Sequence, residues 1–135
     1  MAKFSRFEDI LAWQKARVLT SAVYELSKEG GLAKDFDLRS QLRRSCVSIM
    51  ANIAEGQGRR TDKDFANFLN ISLGSIAETK SHLYVAQDLG YVDKPTFVEL
   101  YAKLDELGRM VFSLSNHLRT VQRSSASASN SPPTS

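Results

Sequence analysis

Between positions 39 and 63 the chain carries Arg39, Arg43, Arg44, Arg59, Arg60 and Lys63 against two carboxylates, Glu55 and Asp62. This local excess of four positive charges is larger than the net +3 of the whole sequence. Clustered arginine and lysine attract phosphate, and the chemistry they offer is sequence-independent contact with a nucleic-acid backbone. A solvated helix face is the plainer reading of the same residues. From Leu38 to Ala54 there is no acidic residue, so Arg39, Arg43 and Arg44 have no counter-charge within their own helix. Arg39 and Arg43 are four apart, share a face, and repel mildly unless something compensates. A carboxylate from another helix, such as Glu78 or Asp88, would be a structural answer. Phosphate would be a functional one.

No catalytic constellation accompanies these arginines. His82 and His117 are isolated, without the HExxH or ExxH spacing of a bundle metal site. Cys46 falls on an apolar stripe and reads as a small core residue. The stretch "GQGRRT" lacks the GxxxxGK[ST] pattern of a phosphate-binding loop. Glu55 lies four residues before Arg59, which suits an ion pair better than a general base without a partner. The sequon Asn70-Ile71-Ser72 sits mid-helix and is discounted. The expectation is a protein without catalytic residues, metal or other cofactor, and hence not an enzyme.

The elements that must carry the basic residues are helical. Helix breakers are few, and no segment alternates as a half-buried strand would. A first helix is predicted from about Arg6 to Lys28, with Ser5 and Glu8 as a capping box and Gly30-Gly31 as its stop. Its stripe is Ile10, Leu11, Val18, Leu19, Ala22, Val23 and Leu26, widened by Trp13 and Ala16. A second starts near Asp37 as N-cap and ends near Gly56 and Gly58, where glycine suits a left-handed terminus. Leu38, Leu42, Cys46, Ile49 and Ile53 form its apolar face. A third opens on Thr61 as N-cap and runs to Gly90, with Gly74 inside it as a point of close helix approach. A fourth follows Asp93, with Pro95 in its first turn and a regular apolar heptad from Phe97 to Val121.

Together these predict an all-α protein, an antiparallel up-and-down four-helix bundle over residues 1–123. The Ser/Pro-rich stretch 124–135 has no bulky apolar residue to bury and reads as a disordered tail. A chain of 135 residues suffices for one domain with a core. One cysteine excludes an intrachain disulfide, and no apolar run approaches the ~20 residues that span a bilayer. A cytoplasmic protein without membrane contact is expected. Phe4, Phe7, Trp13, Phe36, Tyr84, Tyr91, Tyr101 and Phe112 exceed what four core seams need. They point to a second apolar face for self-association, with Trp13 as the candidate interface residue.

Six short motifs occur in order: "WQKA" from Trp13, "QLRRS" from Gln41, "NIAEG" from Asn52 with Gly58-Arg59, "DFANFL" from Asp64, "GSIAE" from Gly74 and "LGY" from Leu89. With these the chain resembles the four-helix-bundle proteins encoded in intervening sequences of bacterial 23S ribosomal RNA. The same fold group includes the accessory variability determinant of diversity-generating retroelements. Ser45 stands where that family usually has alanine. The resemblance covers roughly Phe4 to Arg119. It implies an antiparallel bundle assembled as a ring, commonly a homopentamer, with a basic surface suited to RNA or DNA.

Two functions follow as expectations. One is a non-enzymatic, oligomeric nucleic-acid-binding protein using Arg39, Arg43, Arg44, Arg59, Arg60 and Lys63 on phosphates. The other is a protein-interaction scaffold whose apolar surplus docks a partner such as a reverse transcriptase.

Overall fold

The computed structural model describes the backbone of residues 4–129, and the side chains of 4–121. A 3-10 turn, Phe7–Asp9, precedes α1, Leu11–Leu26. A short α2, Gly30–Lys34, leads into α3, Phe36–Gln57; α4, Asp62–Asp88, and α5, Lys94–Ser129, complete the fold. The four long helices run alternately up and down, ordered α1, α3, α4, α5 around one core. The α3–α4 and α4–α5 seams are extensive and the α1–α5 seam is sparse. This is the antiparallel four-helix bundle expected from the apolar periodicity.

Helix starts follow local hydrogen-bond chemistry. Thr61 caps α4 as expected, its Oγ1 accepting from Asp64 N–H at 3.1 Å. Asp93 Oδ1 accepts from Thr96 N–H at 2.9 Å at the head of α5. At α3 the cap is Asp35 rather than Asp37: its Oδ1 accepts from Leu38 N–H at 3.1 Å. The other Asp35 oxygen accepts from Tyr91 O–H at 3.1 Å, and this second bond favours Asp35 over the neighbouring acid. The capping box at Ser5 and Glu8 does not form. The chain there makes the 3-10 turn, and α1 begins only at Leu11 without a side-chain cap.

Glycines behave differently from the sequence expectation. α1 ends at Leu26, before the Gly30-Gly31 pair, and Gly30 (φ 63°) opens α2 instead. Gly58 closes α3 with φ −75°, an ordinary right-handed value, so no left-handed cap is used there. Such a cap does end α4: Gly90 has φ 74°, and Tyr91 N–H returns to Ala86 O at 2.9 Å. The close approach falls at Gly56, where an added Cβ would lie 2.8 Å from Phe68 Cβ and 2.9 Å from Phe65 Cδ1. Gly74 has nothing within 4 Å of that position, so it is not the contact point.

The core contains the expected stripes of α3 and α5 almost residue for residue, joined by Phe65, Ala66, Leu69, Ile76, Leu83 and Ala86 of α4. On α1 it is Ala12, Ala16, Leu19 and Val23 with Ile10 from the preceding turn. Leu11 and Val18 point outward, 56% and 66% exposed. Leu11 and Val18, seven residues apart, share a face, and the face that meets the core is the neighbouring one of Ala12, Ala16, Leu19 and Val23. Of the surplus aromatics, Phe4, Phe7, Trp13, Tyr91 and Tyr101 pack on the core edge, while Phe36, Tyr84 and Phe112 stay exposed.

α5 continues to Ser129, into the stretch read as a tail; no Gly or Pro interrupts it there, and extending a formed helix is easy. The remainder of that stretch, residues 130–135, lies outside the described residues. No helix among the described residues is long and apolar enough to cross a membrane.

The two glycines give opposed expectations. Gly56→Ala pushes a methyl against two phenylalanines and should lower the unfolding free energy by about 1–3 kcal/mol. Gly74→Ala meets open space and should raise it by up to ~1 kcal/mol. Denaturant melts of both variants read the difference.

Candidate nucleic-acid interface

The six basic residues divide into two groups. Arg39 and Arg43 occupy the first turns of α3, beside the end of α1. Arg59, Arg60 and Lys63 surround the α3–α4 turn. At 1.5 Å per residue, Arg43 and Arg59 stand roughly 24 Å apart along the helix. They do not form one continuous patch.

Arg39 and Arg43 are half-buried and held by neutral groups. Arg39 donates from Nη1 to Ala33 O at 2.7 Å, and its guanidinium lies 4.6 Å from the Phe36 ring centre. Arg43 donates from Nε to Ser27 Oγ at 2.6 Å and stacks 4.5 Å from the Tyr24 ring centre. Ser27 is fully buried and caps the C-terminus of α1, where unpaired carbonyls give a negative dipole end. The compensation for these like charges is therefore carbonyl, hydroxyl and π-face. Glu78 and Asp88 form no ion pair with them, and Asp35, four residues before Arg39, directs its oxygens to Leu38 and Tyr91. Elsewhere cations meet carboxylates across helices: Lys15 pairs with Glu106 at 3.0 Å, and Lys80 pairs with Asp105.

Arg44 points to the other side of α3, exposed, with no ion pair among the described residues. Arg59 pairs with Glu55 at 2.9 Å and covers the Phe68 ring at 4.5 Å, so Glu55 does brace this turn. Arg60 and Lys63 are exposed and form no ion pair among the described residues.

The structure adds residues that the linear reading passed over. On α1, Trp13, Arg17 and Tyr24 recur at steps of four and seven, which places them on one stripe facing the α3 side. Arg17 lies 5.8 Å from the Trp13 ring centre, and Trp13 meets Phe7 edge-on at 5.0 Å. Trp13 is thus a half-buried edge residue. The signal in the sequence was an arginine four residues after a tryptophan, on a different helix from the basic run. On α5, Arg109 and Arg119 belong to a stretch with no acid after Glu106.

Cys46 is buried, and burial pushes its thiol above the ordinary range against a smaller opposing effect of the Thr20 hydroxyl. The thiolate is correspondingly scarce. His82 and His117 lie on different helices, and no group of three His, Cys, Asp or Glu among the described residues could hold a metal ion. What the arrangement can do is present fixed guanidinium groups, not neutralised by carboxylates, beside aromatic rings.

A family model described as 23S rRNA-intervening sequence protein matches residues 8–113. Among solved structures the chain is similar to a protein of unknown function of the S23 ribosomal protein family from Bacteroides thetaiotaomicron. The two share 24% identity with a TM-score of 0.71, over 78% of this chain and 98% of that one. At that identity the likeness concerns the fold. No curated protein matches the chain significantly.

Arg43 and Arg44 are adjacent but should respond differently to substitution. Arg43→Gln removes a charge-assisted hydrogen bond and a stacked ring contact, and should cost about 1–2 kcal/mol of stability. Arg44→Gln touches nothing and should stay within ~0.5 kcal/mol. Paired thermal melts measure both.

Proposed function

The chain belongs to the 23S rRNA-intervening sequence protein family, and on that footing we propose that it is a non-enzymatic, oligomeric nucleic-acid-binding protein of the cytoplasm. Arg39, Arg43, Arg44, Arg59, Arg60 and Lys63 contact phosphates without reading bases. One observation supports this above the others. Arg39 and Arg43 are oriented by neutral partners, so their charge is fixed in place and not cancelled. Phosphate contacts of this kind give affinity that depends on salt and little on sequence.

Assembly multiplies two modest basic clusters. The chain forms a closed cyclic homo-oligomer, a pentamer. Two apolar surfaces support it. One is the α1–α5 seam, with exposed Leu11 and Val18 beside a groove of about 350 Å³. The other is the outer side of α4, with Ile71, Val85 and Leu89 exposed by 43–54%. They lie on different sides of the bundle, and unlike surfaces that pair head to tail generate rings. The same exposed residues favour a second reading, a scaffold that docks a protein such as a reverse transcriptase.

Titrating the protein with unrelated RNA and DNA duplexes at several salt concentrations separates the readings. The expected log–log slope is about −0.7 to −0.9 per phosphate neutralised. Arg44→Gln, Arg60→Gln and Lys63→Gln together should weaken binding across all sequences with the melting temperature unchanged. Light scattering should give a multiple of the 15.0 kDa chain. An oligomer that binds no nucleic acid at low salt would favour the scaffold.

A further inference from the structure

The groups beside Arg39 and Arg43 bear on which form of nucleic acid would be taken. Phe36 is 69% exposed and Tyr24 is 37% exposed, so a ligand in solution can reach both rings. Each carries a guanidinium 4.5–4.6 Å from its ring centre. The guanidinium groups are themselves fixed by Ala33 O and Ser27 Oγ. Resting on the nucleic-acid reading above, we infer that the Phe36–Arg39 and Tyr24–Arg43 pairs are stacking platforms for unpaired bases, so that the preferred ligand is single-stranded.

Two physical points carry this. Phosphate contact alone asks only for charge, and exposed rings add nothing to it; stacking on a π-face does require a ring, and any base can use it. Unpaired bases stack on aromatic rings and on arginine planes alike, and both kinds of surface are present.

The test uses the full-length chain and three probes: a short oligouridylate, an abasic oligomer with the same number of phosphates, and an RNA duplex of equal charge. The expected result is tighter binding of the oligouridylate than of either other probe. Phe36→Ala should reduce that affinity about tenfold and leave the abasic oligomer unaffected. Tyr24→Leu, which keeps an apolar body at the half-buried site, should act in the same direction. Equal binding of all three probes, unchanged by both substitutions, would overturn the stacking inference and leave the phosphate reading standing. Absence of binding to any probe at low salt would overturn both. If Phe36→Ala instead changes the mass seen in light scattering, the ring belongs to a contact between copies of the chain, and the inference fails on that ground.

Discussion

The α3–α4 contact is the constraint on which the rest of this bundle hangs. Along it small and hydroxylated side chains are interleaved with bulky apolar ones. Thr79 donates to Ser75 O at 2.8 Å and lies 2.9 Å from Ser45 Oγ. Ser48 and Ser75 meet at 2.8 Å, Ser72 donates to Ile49 O at 2.8 Å, and Gly56 admits Phe65 and Phe68. Buried hydroxyls are unfavourable unless satisfied. Here no buried side-chain polar atom among the described residues lacks a partner. A slip of one turn along this seam would orphan several of them at once. The polar contacts therefore fix register, while Leu42, Ile49, Ile53, Leu69 and Leu83 supply the burial that favours folding.

That tight seam has an opposite. α1 meets α5 only sparsely, bridged at the surface by Lys15 and Glu106. α1 is held mainly against α3, by its alanines, by Thr20 beside Cys46, and by Arg43 reaching Ser27. Small residues on α1 bring it close to α3 but leave little to fill the α5 side. Leu11 and Val18 consequently flank an open groove instead of closing one. Close packing on one side and incomplete packing on the other have the same origin, the distribution of residue size along the helices.

Much of this was legible in the sequence. The heptad from Phe97 to Leu118 and the stripe from Leu38 to Ile53 predicted buried positions, because a helix repeats its faces with a fixed period. The start of α1 was not legible in the same way. Ser5 and Glu8 have the spacing of a capping box, yet the packing of Phe7 against Trp13 favours a 3-10 turn there. Gly56 and Gly58 looked alike as terminators. Only the position of α4 distinguishes the first, which needs space, from the second, which closes the helix in an ordinary conformation. The cap at Asp35 depends in part on Tyr91, 56 residues away, and no local pattern reports that.

The basic run was legible as composition but not as arrangement. Its spacing posed two alternatives for Arg39 and Arg43, a carboxylate or a phosphate, as if one must supply the missing negative charge. The fold supplies neither. It surrounds the two guanidinium groups with a carbonyl, a hydroxyl and two rings, which orient positive charge without neutralising it. Lysine could not substitute equally, because only the planar guanidinium donates in its plane while stacking through its face. A charge so held has lost side-chain freedom before any ligand arrives, and that ordering would otherwise weaken each contact made on binding. A stabilising role for these arginines in the fold is thus no argument against a binding role, since the contacts that fix them also prepare them.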